Sequence, residues 1–137
     1  MATQLTKPSD LIPSDLKKAR VMAINDLVEE EVTLLIDETI VTCFATYLPY
    51  EIEVGNSYTV ELTLNLADHY EIQKNQLEDF SASRIGSGFS YILCGKLSDN
   101  FFQTFTWLSD EGIHYDHPDM NDCFIKLVID RIDVTFH

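Results

Sequence analysis

From Ser57 to Leu66 apolar and polar residues alternate without a break: Tyr58, Val60, Leu62, Leu64 and Leu66 against Ser57, Thr59, Glu61, Thr63 and Asn65. Successive side chains of an extended strand point to opposite faces, whereas a helix would scatter these five apolar residues around its axis. The segment can bury its apolar half only as a β-strand with one wet face, and such a strand needs neighbours. Gly55 and Asn56, which tolerate positive φ, mark a turn just before it and predict a hairpin with the preceding chain. Thr39 to Tyr47 is rich in β-branched and aromatic residues, and Val32, Leu34 and Ile36 alternate ahead of it, with Asp37 and Glu38 as a two-residue hairpin turn. Arg20 to Val28 supplies a further run, and Glu29 to Glu31 turn the chain toward solvent. The first half of the chain reads as a four-strand meander.

The pattern changes between Asp68 and Ser83. Asp68 and Glu71 have capping-box spacing, and Tyr70, Leu77 and Phe80 can share one helical face, which predicts a short helix over 69–80. Beyond it, Phe89, Tyr91, Leu93 and Leu97 line one side of a strand from Gly88 to Ser98, with Gly95 at a bulge. Phe101 to Leu108 reads as the next strand, paired across Asp99 and Asn100. At the C-terminus Cys123, Ile125, Leu127 and Ile129 are apolar at odd positions, whereas Ile132, Val134 and Phe136 are apolar at even ones. One inserted residue exchanges the faces of a strand, so a bulge or break is expected near Asp130 and Arg131.

About eight short strands with one helix between them predict a mainly β fold with one short helix, either an antiparallel, partly closed barrel or a two-layer sandwich. The order strands, helix, strands is similar to that of an oligonucleotide-binding-type barrel, with more strands than a simple example has. The similarity is one of topology alone. At 137 residues the chain is the size of one domain. The expected division is a polar leader over residues 1–19, with a helical turn after Ser14, and a β-rich domain over 20–137.

Charge is the unusual feature. Nine Lys and Arg stand against 23 Asp and Glu, for a formal net charge of -14. Residues 1–20 hold four bases and two acids, so the body is more acidic still. Affinity for nucleic acid rests on Lys and Arg neutralising phosphates, so both nucleic acid and anionic membrane surfaces are disfavoured partners. Charged residues interrupt every apolar run, so no membrane-spanning helix is expected. The first 20 residues lack the apolar core of a secretory signal, and the three cysteines, Cys43, Cys94 and Cys123, sit in strand-like contexts as an odd number. Reduced, buried thiols in a cytoplasmic protein are the expectation.

No catalytic motif is present: no GxSxG elbow links a serine to a histidine, and no cofactor is implied. Arg84 to Gly88 follows the expected helix and precedes a strand, the reverse of a phosphate-binding loop, so a bend is expected there. His114, Asp116 and His117 bring two imidazoles and a carboxylate into one loop, the residue types a divalent transition metal takes, although three-residue spacing between the histidines and the lack of a second pair favour a plain connection. Phe101, Phe105 and Trp107 would fall on one strand face, leaving an aromatic surface. The functional expectation is a small acidic protein-binding module of the inhibitor or immunity type, engaging a basic protein through Glu29, Glu30 and Glu31 with Phe105 and Trp107. The alternative is a small barrel that binds an apolar ligand or a metal ion at its rim. Self-association through an uncovered strand edge is a third route to a partner.

Overall fold

The computed structural model of the protein describes residues 16–137. The alternating segments become strands: β1 (Leu16–Ile24), β2 (Glu31–Ile36), β3 (Thr39–Phe44) and β4 (Ser57–Asn65). Then come β5 (Ile72–Lys74), β6 (Ser81–Arg84), β7 (Tyr91–Ser98), β8 (Phe101–Gln103) and β9 (Trp107–Ser109). A one-turn helix α1 (Gly112–Asp116) and a 3₁₀ turn (Pro118–Met120) lead to β10 (Phe124–Ile129) and β11 (Arg131–Phe136). Over the described residues the protein is mainly β with one short helix.

Five of these strands close a barrel in the order β1-β2-β3-β11-β4, with β4 returning to β1. Every pair is antiparallel except β3 with β11. That order, with its one parallel seam, is the oligonucleotide-binding-type arrangement. The β2–β3 hairpin turns on Asp37 and Glu38, both at positive φ, as a two-residue hairpin requires. The turn at Gly55 also forms, with φ +96, but β4 does not pair with β3 as the expected meander requires, and residues 45–56 between them are a loop. It docks on β1, where Gly55 N–H donates to Val21 O and Val21 N–H to Asn56 O, so that β4 lies beside β1 and β11.

A second, open sheet fills the connection between β4 and β11. Its order is β5-β10-β7-β8-β9, and β6 shares the β8 edge of β7. The expected helix over 69–80 does not form. Asn75 Oδ1 accepts from Leu77 N–H, Asn75 N–H donates to Phe124 O, and Val128 N–H donates to Glu71 O, so the backbone is spent on a local turn and on β10. An isolated helix this short gains too little from its own hydrogen bonds to compete. Phe101 to Leu108 is likewise not one strand. It folds back at Thr104–Thr106 into the β8–β9 hairpin, where Phe102 opposes Leu108.

The phase change near Asp130 is the point where the chain leaves one sheet for the other. Ile129 ends β10, Ile132 enters the barrel, and both are buried. Buried residues of the two sheets form one continuous core, from Val21, Leu34 and Val60 in the barrel to Leu93, Phe102 and Leu127 in the second sheet. Polar contacts help fix the junction. The buried Thr42 N–H of β3 donates to the Tyr91 hydroxyl of β7 at 2.7 Å, and the Thr106 hydroxyl donates to Asp37 at the tip of the β2–β3 hairpin. Residues 16–19, placed by their polarity in the leader, belong to β1, with Ala19 fully buried. The leader up to residue 15, with the turn expected after Ser14, lies outside the described residues.

Candidate functional site

In an antiparallel meander the β1–β2 and β3–β4 connections emerge at the same end. Here Ala45 N–H donates to Glu30 O at 2.7 Å, and Tyr50 Oη donates to the C-terminal His137 O, which brings loop 25–30, loop 45–56 and the chain terminus together. The second sheet packs at the other end, where Asp37 meets Thr106, and along the hairpin as far as Phe44, whose ring meets Phe89, and Glu31, 3.9 Å from Arg84. The tips of the two loops, with Leu27 and Tyr47 largely exposed, project past these contacts and form the free end.

Loop 25–30 is held rigidly. Asn25 Oδ1 accepts from the N–H groups of Leu27 and Val28, Asn25 Nδ2 donates to Glu31, and Asn25 N–H donates to Glu31 O. This side-chain turn lifts Leu27 out of the fold, 93% exposed, while Val28 beside it is 37% exposed. On the adjoining loop Tyr47 and Val54 are also largely exposed. The two loops carry Asp26, Glu29, Glu30, Glu51 and Glu53, and no Lys or Arg occurs anywhere between Arg20 and Lys74. Arg20, at the rim, donates to Gly55 O. The free end is therefore an apolar knob among carboxylates.

The structure separates the residues that the sequence joined into one site. Glu29 is exposed and Glu30 half-buried on this loop. Glu31 opens β2 and is turned inward, with one carboxylate oxygen on Asn25 and the other 3.9 Å from Arg84. Phe105 is only 7% exposed and belongs to the core, and Trp107 is half-buried in β9. Both flank Thr106, which is bonded to the far end of the six-residue β2, on the order of 17 Å of strand away from Glu31. They form no common surface with the glutamates. Leu27 and the loop around Tyr47 escaped the sequence reading. The legible signal was a leucine placed two residues after an asparagine in an otherwise acidic turn.

The histidine loop holds itself together. Asp110 caps α1, accepting from Ile113 and His114 N–H, and its Oδ2 lies 2.6 Å from His114 Nδ1, so that nitrogen is engaged. Asp116 accepts from the Tyr70 hydroxyl at 3.1 Å, and the His117 ring stands edge-on to Tyr70 at 5.6 Å. Burial, with the bonded Asp116 carboxylate second, pushes the Tyr70 hydroxyl up to about 12. Among the described residues no three His, Cys, Asp or Glu side chains converge as a metal would need. At Arg84–Gly88 the guanidinium donates to the Ser87 and Gly88 carbonyls, so the bend closes on a cation. At the barrel rim, Leu64, Leu66, Phe102 and Leu108 line a crevice of about 200 Å³, below the usual size of a ligand pocket.

The family described as Uncharacterised conserved protein UCP019853 matches residues 16–137. The chain belongs to that family. The match runs from the first residue of β1 to the last residue of the chain, so the family unit contains both the barrel and the sheet inserted into it. No curated protein and no solved structure matches the chain. No helix among the described residues is long and apolar enough to cross a membrane.

Proposed function

We propose that this protein is an acidic binding module of the inhibitor or immunity type, which takes a basic protein partner at the free end of its barrel. The observation that carries the reading is Leu27, held almost fully exposed by the Asn25 turn in a loop that also carries Asp26, Glu29 and Glu30. A rigid apolar residue seats in a partner's pocket with little ordering cost, and a surrounding field of one sign steers an oppositely charged partner and discourages others. Burying a leucine side chain is worth about 2 kcal/mol, roughly thirtyfold in affinity.

The same end argues against oligonucleotide. In oligonucleotide-binding barrels the ligand lies over strands two and three, between the first loop and the connection of strands four and five. Here the first loop is acidic, and the later connection is the whole second sheet. Free thiols at Cys43, Cys94 and Cys123 support a reducing, cytoplasmic setting.

The test is affinity capture at low and high salt with the wild-type chain, Leu27→Asp, and the charge-reversed Asp26→Lys/Glu29→Lys, with recovered proteins identified by mass spectrometry. A basic protein held by the wild type, released by salt and missed by both variants is expected. Recovery of the same proteins by all three chains refutes the assignment.

A further inference from the structure

The outer face of the second sheet carries a groove of about 610 Å³ along β5, β10 and β7, within the size range of small-molecule sites. It lies apart from the acidic end of the barrel. Val128 of β10 and Ile92 of β7 stand opposite each other and make an aliphatic floor. Lys126, two residues before Val128 and so on the same face, stands opposite Gln73 of β5. Tyr70 and His117 form the wall, their rings fixed against each other and the Tyr70 hydroxyl tied to Asp116.

The charge of this strip is opposite to that of the molecule. β5, β7 and β10 contain no Asp or Glu and carry Lys74, Lys96 and Lys126. Lys96 is placed over the Phe124 ring, whereas Lys126 makes no hydrogen bond or ion pair with any described residue. An unpaired ammonium beside an amide, at one end of an aliphatic floor with an aromatic wall, is complementary to an anion carrying an apolar body. Glu71, the acid on the groove wall, makes no ion pair with Lys126, and it disfavours the anionic group at its own end. The carboxylate is thereby directed to Lys126 and Gln73.

We infer that the groove binds a small carboxylic acid with an aromatic or branched aliphatic body, its carboxylate on Lys126 and its apolar part over Ile92 and Val128. Calorimetric titration of the intact protein with phenylacetate and 4-methylpentanoate tests this, with their amides as uncharged counterparts and inorganic phosphate as an anion without an apolar body. Both acids are expected to bind, and the amides about tenfold more weakly for want of a charge-assisted bond. Lys126→Met, at an exposed position, should reduce the acids to the level of the amides with the circular dichroism spectrum unchanged, and Lys74→Met should leave them unaffected. The inference is overturned if the acids show no binding at millimolar concentration, if amides or phosphate bind equally well, or if Lys126→Met changes nothing. None of these results touches the proposal for Leu27, whose partner contacts the other sheet.

Discussion

Replacing Gly95 with alanine should be among the costlier single substitutions in this fold. β7 pairs with β10 along one edge, while its other edge is shared, by β6 as far as Cys94 and by β8 from Lys96 onward. Gly95 sits at the changeover, where the chain of β8 folds in against it. A Cβ there would lie 2.0 Å from Gln103 O and 2.8 Å from both Gln103 C and Thr104 Cα. All three are backbone atoms, so no side-chain rotation relieves the overlap and the β8–β9 turn must shift bodily. The displacement breaks the donation of the Thr104 hydroxyl proton, shared between Cys94 O at 2.8 Å and Ser81 O at 3.2 Å, and it loosens Phe102, which is fully buried. Overpacking of about 2 kcal/mol and one lost hydrogen bond of about 1 kcal/mol give a loss of about 3 kcal/mol, a large share of a typical domain's stability. Urea unfolding measures it, and with an m-value of about 2 kcal/mol/M the midpoint should fall by about 1.5 M. Gly88→Ala is the control: nothing lies within 4 Å of where its Cβ would stand, so a change within about 0.5 kcal/mol is expected. A loss below about 1 kcal/mol for Gly95→Ala would refute the reasoning.

Tyr91→Phe should strand the buried Thr42 N–H and cost about 1–3 kcal/mol in thermal unfolding, and an unchanged midpoint would show that the hydroxyl does not join the two sheets. Burial first, and the nearby Asp133 carboxylate second, push the Cys43 thiol far above its ordinary range, so iodoacetamide should modify the half-exposed Cys123 in the native protein and reach Cys43 only after unfolding. Early labelling of Cys43 would contradict its position in the core. Tyr70 titrates higher in the folded chain than in the unfolded one, so the stability linked to its neutral hydroxyl is complete below pH about 10 and is lost as pH rises through about 12. Phenolate absorbance should show a late tyrosine whose titration moves down in Asp116→Asn, though not fully, because burial is the larger cause.

Strands were legible wherever one face meets water and the other meets the core. β2 and β4 stand where alternation places them, because a period of two survives any arrangement of neighbours, and β3 takes the first six residues of the β-branched and aromatic run from Thr39 to Tyr47. The change of phase at Asp130 was legible for the same reason, although it marks a passage between sheets that no local pattern names. The segment over 69–80 was misread because its apolar spacing suits a helix, while its backbone finds partners on β10, more than forty residues away in sequence. The candidate site divides similarly. The acidity of the β1–β2 turn is written in its residues, whereas the exposure of Leu27 follows from the hydrogen bonds Asn25 makes in the folded turn.

The sequence by itself determined a β-rich chain with a negative body, since alternation and net charge are properties of residues and not of their neighbours. Only the tertiary structure decided which strands close the barrel, that Phe105 lies inside while Leu27 lies outside, and that Lys126 faces an aliphatic groove. Those outcomes depend on pairings between distant segments, where the free energy of burying shared surface outweighs any local preference.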